Sequence, residues 1–149
     1  MKKKILTLLA AFVLVASTTF AITRENPVPE PVVSAFSGSF SSAKEVHWEG
    51  FGDYYKATFK QNGNALYVFY SDNAEFMGIA NNVLSDKLPG LLQTGIKNKY
   101  QSYWITDLVK YNVAGKTGFL VTIENANEKI VLKTSNNQHW QVYSKKTKA

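Results

Sequence analysis

Cysteine is absent from this 149-residue chain, and only two histidines, two methionines and four prolines occur. Without cysteine there is no disulfide, no thiolate nucleophile, no cysteine ligand for zinc and no lipidation site behind a leader. His47 and His139 stand far apart in sequence, neither has a partner at metal-ligand spacing, and each reads as a surface histidine. No serine sits in Gly-x-Ser-x-Gly, and no glycine-rich phosphate loop precedes a helix. Gly50-Phe51-Gly52-Asp53 and Gly115-Lys116-Thr117-Gly118 read as hairpin loops between strands. Carboxylates are sparse: Glu45 and Glu49 flank a strand, Asp72 belongs to a turn and Asp86 to a helix start, and none forms a hydrolytic pair. The residues therefore point to a non-enzymatic protein with no metal and no cofactor.

Long apolar runs are also scarce, and the one present explains the compartment. Lys2, Lys3 and Lys4 precede the apolar run Ile5–Ala16, and Thr19-Phe20-Ala21 offers a small-residue cleavage site. That order is a signal peptide over residues 1–21, with Leu14-Val15-Ala16 a weaker site and an uncleaved anchor or buried helix the alternative reading. A periplasmic or secreted protein follows, with no stable membrane span after cleavage. The remaining 128 residues carry 14 basic against 11 acidic groups, so the net charge drops from +6 to +3. The tail Lys145, Lys146, Lys148 then reads as a solvated end rather than a nucleic-acid arm. Pro27, Pro29 and Pro31 hold residues 22–31 as an extended lead-in, and the core begins near Val32.

What is abundant is aromatic mass (8 Tyr, 9 Phe, 3 Trp) and an internal echo. Residues 55–79 and 119–143 align without a gap at an offset of 64, pairing Phe59 with Ile123, Leu66 with Ile130, Val68 with Leu132, Asn73 with Asn137 and Phe76 with Trp140. Apolar residues spaced by four precede each segment: Val32, Phe36, Phe40, and Leu88, Leu92, Ile96, Tyr100, the second with Ser85 as N-cap and Pro89 in the first turn. The expected fold is α+β, with two tandem units (32–83 and 84–143), each a helix packed on a roughly four-stranded antiparallel sheet.

Asn62-Gly63 is a two-residue hairpin signal. It sets Phe59 opposite Leu66, Ala57 opposite Val68 and Tyr55 opposite Tyr70 on one face. The other face receives Lys60 with Ala65, Thr58 with Tyr67 and Lys56 with Phe69. A three-residue loop Ser71-Asp72-Asn73, with Asn73 left-handed, then sends Phe76, Trp140 and Val142 to the helix-covered face. Trp48, Trp104 and Trp140 read as core. On the second face the later unit shows Glu124, Lys129, Val131 and Lys133, an ordinary wet surface. The earlier unit shows Ala65, Tyr67, Phe69 and Met77 beside Lys56 and Lys60. Tyr67, Phe69, Met77, Lys56 and Lys60 are thus the candidate partner-binding residues. The competing reading is that another element or a second copy covers them.

The stretch VVSAFSGSFSSAKEVHWEG resembles the opening of the PepSY-like proteins akin to the β-lactamase inhibitor protein (BLIP), a helix bearing an aromatic followed by Phe-Pro-x-Ala and Val-x-Trp. Phe36, Phe40, Ala43, Val46 and Trp48 match, while Ser41 replaces the proline; LPGLLQTGIKNKYQSYWI resembles the second-unit helix. The resemblance spans nearly the whole chain after the leader, through packing motifs. It implies the same two-unit fold and an exported module that binds another protein, as an inhibitor or modulator of a periplasmic or secreted enzyme or protease. A structural envelope protein or a carrier of a small apolar ligand is the alternative, and a homodimer a further one.

Overall fold

The computed structural model describes residues 27–134 and 136–149. The signal segment and the start of the lead-in fall outside those residues. Helix α1 (Glu30–Ser39) leads into strands β1 (Lys44–Phe51), β2 (Tyr54–Gln61), β3 (Asn64–Ser71) and β4 (Phe76–Asn82). A single 3₁₀ turn (Ser85–Lys87) and helix α2 (Gly90–Lys99) follow, then β5 (Trp104–Val113), β6 (Lys116–Glu124), β7 (Glu128–Thr134) and β8 (Gln141–Thr147). The fold is α+β. The four-stranded sheets expected for each unit are instead one eight-stranded antiparallel sheet with its strands in sequence order. β4 joins the halves by pairing with β5, Ile79 with Asn112 and Asn82 with Val109.

Both helices start on a proline. Pro29 and Pro89, in extended polyproline geometry, are the N-caps, so the extended lead-in ends at Pro29 and Pro31 sits in the first turn of α1. Ser85 opens the 3₁₀ turn rather than capping α2. The bonds Val32 N–H to Pro29 O and Phe40 N–H to Phe36 O recur as Leu92 to Pro89 and Tyr100 to Ile96.

Each helix lays one apolar stripe on the same face of the sheet. Val32 and Phe36 of α1 pack with Ala57, Phe59, Val68 and Tyr70, with Trp48 and Leu66 at the margin. Leu92 and Ile96 of α2 pack with Leu108, Phe119, Val121, Ile123, Ile130 and Leu132. Trp140 docks beside α2, and its indole Nε1 donates to Leu92 O at 2.8 Å across Gly95.

The Asn62-Gly63 hairpin has every cross-strand pair its turn chemistry dictates, from Tyr55↔Tyr70 to Lys60↔Ala65. Both turn residues are left-handed (φ 52° and 78°), as the primed turn needs. The β3–β4 connection differs from expectation. It holds four residues (72–75), and Ala74, not Asn73, is left-handed at φ 61°. Ser71 fixes it: its N–H donates to Glu75 O at 3.0 Å, and its hydroxyl accepts the Glu75 N–H at 3.1 Å. Phe76 then pairs with Tyr70 and stacks edge-on against it (5.8 Å) on the helix side, but stays 53% exposed at the rim. Val142, opposite Leu132, is likewise exposed, and Trp104 is a surface residue rather than core.

Register shifts interrupt β1–β2, β3–β4, β5–β6 and β7–β8. Such bulges bend a strand and steepen its right-handed twist. Lys145, Lys146 and Lys148 of the basic tail are exposed, and two of them are paired at the surface: Lys145 with Glu128 at 2.6 Å and Lys148 with Glu124 at 2.8 Å. Among the described residues no helix is long and apolar enough to cross a membrane.

Candidate functional site

The sheet face away from the helices carries the candidate residues. Alternation from the hairpin puts Lys56, Thr58 and Lys60 of β2 and Ala65, Tyr67 and Phe69 of β3 there. The same face continues through both halves as one apolar cluster: Tyr54, Phe69, Ala80, Val109, Tyr111, Val113, Leu120 and Val131, with half-buried Phe51, Tyr67, Met77 and Tyr143 packed against it. Every strand contributes. The second half is therefore not the wet surface its β7 residues suggested. Val131 is buried, and β5 and β6 supply the apolar neighbours.

The candidates divide. Phe69 is fully buried, packed near Tyr54 at 6.3 Å between ring centres, and offers no surface. Lys56 is buried too, its ammonium paired with Glu49 and lying 5.5 Å from the Phe51 ring centre. Lys60 is exposed and bonds Glu45 at 2.7 Å, where β1 is bulged and Glu45 is left-handed. Met77, the extra residue at the β3–β4 register shift, joins the cluster from the rim. Tyr67 is half-buried and keeps its hydroxyl in use. His47 and His139 are both exposed, and among the described residues no group of His, Asp or Glu could hold a metal ion.

A polar chain crosses this face at one end. The Tyr67 hydroxyl donates to Asn82 Oδ1 at 2.8 Å, and Asn82 Nδ2 donates to Asp107 Oδ1 at 2.6 Å. Buried Thr122 stands across from Asp107. Burial raises the Asp107 carboxyl above its ordinary value, against the pull of the Leu108 N–H, of Asn82 and of the Lys129 charge. Burial likewise raises the Tyr67 hydroxyl, with the Asp107 charge adding to it. Tyr54 is pushed up to about 12 by burial first, then by the charges of Asp53 and Glu49. These tyrosines are neutral donors throughout the physiological range.

Asp107, Asn82, Tyr111 and Tyr143 are absent from the sequence-derived set. For Asp107 the obstacle is local: the register shift between Ile105 and Asp107 breaks the alternation that would otherwise give them one face. A partial signal existed in β5, where Asp107, Val109, Tyr111 and Val113 alternate with Leu108, Lys110 and Asn112.

Small clefts lie elsewhere among the described residues. One of about 280 Å³ sits between the 3₁₀ turn, α2 and Ile105. Another, about 240 Å³, crosses β4 and β5 where Leu66, Ile79, Asn81, Lys110 and Asn112 meet. Tyr67, Phe69 and Met77 line neither.

Comparison with known proteins bears on the fold. No family model matches the chain, and no curated protein does either. Solved structures do match. A BLIP-like protein of Bacteroides fragilis is 23% identical, with a TM-score of 0.67 over 83% of this chain and 89% of that one. A DUF2874 family protein of Bacteroides uniformis is 16% identical (TM-score 0.69, 80% and 88% covered). A candidate periplasmic protein of Bacteroides eggerthii is 14% identical (TM-score 0.71, 82% and 90% covered). The fold is BLIP-like. The PepSY-like part of the resemblance gains no support from these structures.

Proposed function

We propose that this chain is an exported binding module that takes a protein partner on the helix-free face of its sheet, and so modulates a periplasmic or secreted enzyme. One observation carries the reading. Both helices cover the same face, while the opposite face holds a second apolar cluster with a half-buried rim of Phe51, Tyr67, Met77 and Tyr143. Apolar centres with aromatic and methionine rims are what protein interfaces use. The likeness to a BLIP-like protein and to a candidate periplasmic protein supports the partner class and the compartment. The N-terminal order of basic, apolar and small residues supports export with cleavage after Ala21. The recurrence of the helix bonds sixty residues apart supports descent of both halves from one duplicated unit.

The rim tests the reading. Met77→Glu and Tyr143→Glu place a charge at the margin of the cluster without emptying its centre. Envelope extract from the source cell, cross-linked to the purified chain, should yield one reproducible partner protein with the original sequence and lose it with either variant. Equal capture by all three chains would remove the face from consideration.

A further inference from the structure

The helix side of the sheet is apolar where a helix packs on it and turns polar between the two helices. Helix α1 packs on Ala57, Phe59, Val68 and Tyr70, and α2 on Leu108, Phe119 and Val121. Between those clusters the same face continues across β4 and β5. Val68 pairs with Ile79, Ile79 with Asn112, Asn81 with Lys110, and Asn112 with Thr117. Ile79, Asn81, Lys110 and Asn112 belong to neither cluster; with Leu66 and Thr117 they line the cleft of about 240 Å³. Lys110 is exposed, and among the described residues no carboxylate pairs with it or lines the cleft. Asn112 Nδ2 donates to Thr117 Oγ1 at 3.3 Å, and Asn81 Nδ2 donates to Asn82 O at 3.1 Å. Both amides thus commit a donor inside the protein, which leaves their oxygens as acceptors and leaves the Thr117 hydroxyl its own proton to donate.

We propose that this cleft binds a small hydroxylated carboxylic acid, with its carboxylate on Lys110, its hydroxyls on Asn81, Asn112 and Thr117, and its C–H face on Ile79 and Leu66. The inference goes beyond the binding-module reading and does not rest on it, because it uses the opposite face of the sheet. A lone ammonium matches a single negative charge. Phosphate dianions call for an arginine fork or a helix N-terminus, and neither lines the cleft. The amide oxygens ask for donors from the ligand. Hydroxyls supply them without charge, whereas the ammonium of an amino acid would stand beside Lys110 and be repelled. An acid without hydroxyls leaves the amides unmatched, and a neutral sugar leaves the lysine unmatched. The volume falls below the range of about 300–1,000 Å³ typical of drug-sized ligands, so the occupant is about the size of a single sugar ring.

The experiment titrates isotope-labelled chain with glucuronate, glucose and acetate at constant ionic strength and follows the backbone amide shifts. Glucuronate should perturb Ile79, Asn81, Lys110, Asn112 and Thr117 saturably, and bind about tenfold more tightly than glucose or acetate. Lys110→Gln removes the charge at an exposed position that holds no ion pair, so its thermal melt should match the original. Its affinity for glucuronate should fall to that for glucose. The site is overturned if glucuronate binds no more tightly than acetate, if Lys110→Gln keeps the original affinity, or if the shifts fail to saturate or fall outside the cleft. Met77→Glu, on the other face, should leave glucuronate binding unchanged. Loss of partner capture by that variant and loss of the acid by Lys110→Gln are therefore separate results, and either reading can fail alone.

Discussion

Tyr111 lies flat across Gly118. The two are cross-strand partners in β5 and β6, and the tyrosine hydroxyl reaches over the glycine to donate to Thr134 O of β7 at 2.9 Å. A Cβ on Gly118 would come within 2.4 Å of the Tyr111 ring and 2.2 Å of Thr134 O. The backbone itself would have to move, because the second contact is to a main-chain atom. Gly118→Ala should therefore cost about 1–3 kcal/mol or more, as overpacking does. Tyr111→Phe, which removes one hydrogen bond, should cost about 1 kcal/mol. Denaturant melts of the two variants check the order; a Gly118→Ala chain as stable as the original would mean that β6 and β7 accommodate the methyl by sliding.

The hairpin at Asn62-Gly63 was readable because a primed two-residue turn fixes register, and register fixes facing. The helices were readable from residues spaced by four. That the eight strands form one sheet was not readable. The β4–β5 pairing crosses the helix-bearing connection, and no turn residue encodes it. The burial of the second face was half-readable. Val131 between Lys129 and Lys133 looks like a lone apolar residue on a wet strand. It is buried because Val109, Tyr111 and Leu120 stand on adjoining strands. The three-residue loop Ser71-Asp72-Asn73 expected from turn chemistry gives way to a four-residue one, because Ala74 takes the left-handed position that its type disfavours. Local preference yields there to the Ser71–Glu75 bonds.

Phe69 and Tyr67 share a face but not a role. Phe69 is fully buried, whereas Tyr67 is half-buried at the polar end. Phe69→Ala should cost about 3–5 kcal/mol, the range for a buried aromatic truncation, and so match Phe59→Ala from the helix-side core. Tyr67→Phe removes only the bond to Asn82 and should cost about 1 kcal/mol. Leu66→Ala, at the margin of its cluster, should fall between them. Thermal melts of the four variants rank them; a Phe69→Ala chain that melts with Tyr67→Phe would show that the second face contributes little to folding.

Trp140 reports on the seating of α2. Its ring sits 3.2 Å from where a Gly95 Cβ would be, and its indole holds the Leu92 carbonyl. Gly95→Ala gains helix propensity of up to about 1 kcal/mol and should be close to neutral, since only the edge of one side chain must yield. Gly95→Leu displaces the indole. Its tryptophan emission should shift to the red with loss of stability. Unchanged emission would place Trp140 elsewhere than beside α2.

Acid sensitivity should come from the end of β8. Glu124 is held below its ordinary value chiefly by Lys148, then by Lys129 and Thr106. Glu128 is held down chiefly by Lys145 and then by Tyr103, and Lys145 is raised in return. A carboxylate lowered in the folded state stabilises the fold above its unfolded value, and that contribution disappears as pH falls through the lowered value. Asp107 works the other way. Its carboxyl is raised, so its charge opposes folding near neutral pH, and protonation relieves that as pH falls through the raised value. Lys148→Ala and Lys145→Ala should thus move the acid-unfolding midpoint to higher pH, by an amount that shrinks with salt because both sites are solvent-facing. Asp107→Asn should leave that midpoint close to the original and leave neutral stability equal or slightly higher. Circular dichroism followed from neutral pH to below the carboxylate range separates the two effects. An acid midpoint indifferent to both lysines would mean that the C-terminal strand is held by its backbone ladder with β7 and its Lys148 N–H bond to Asn127 O alone.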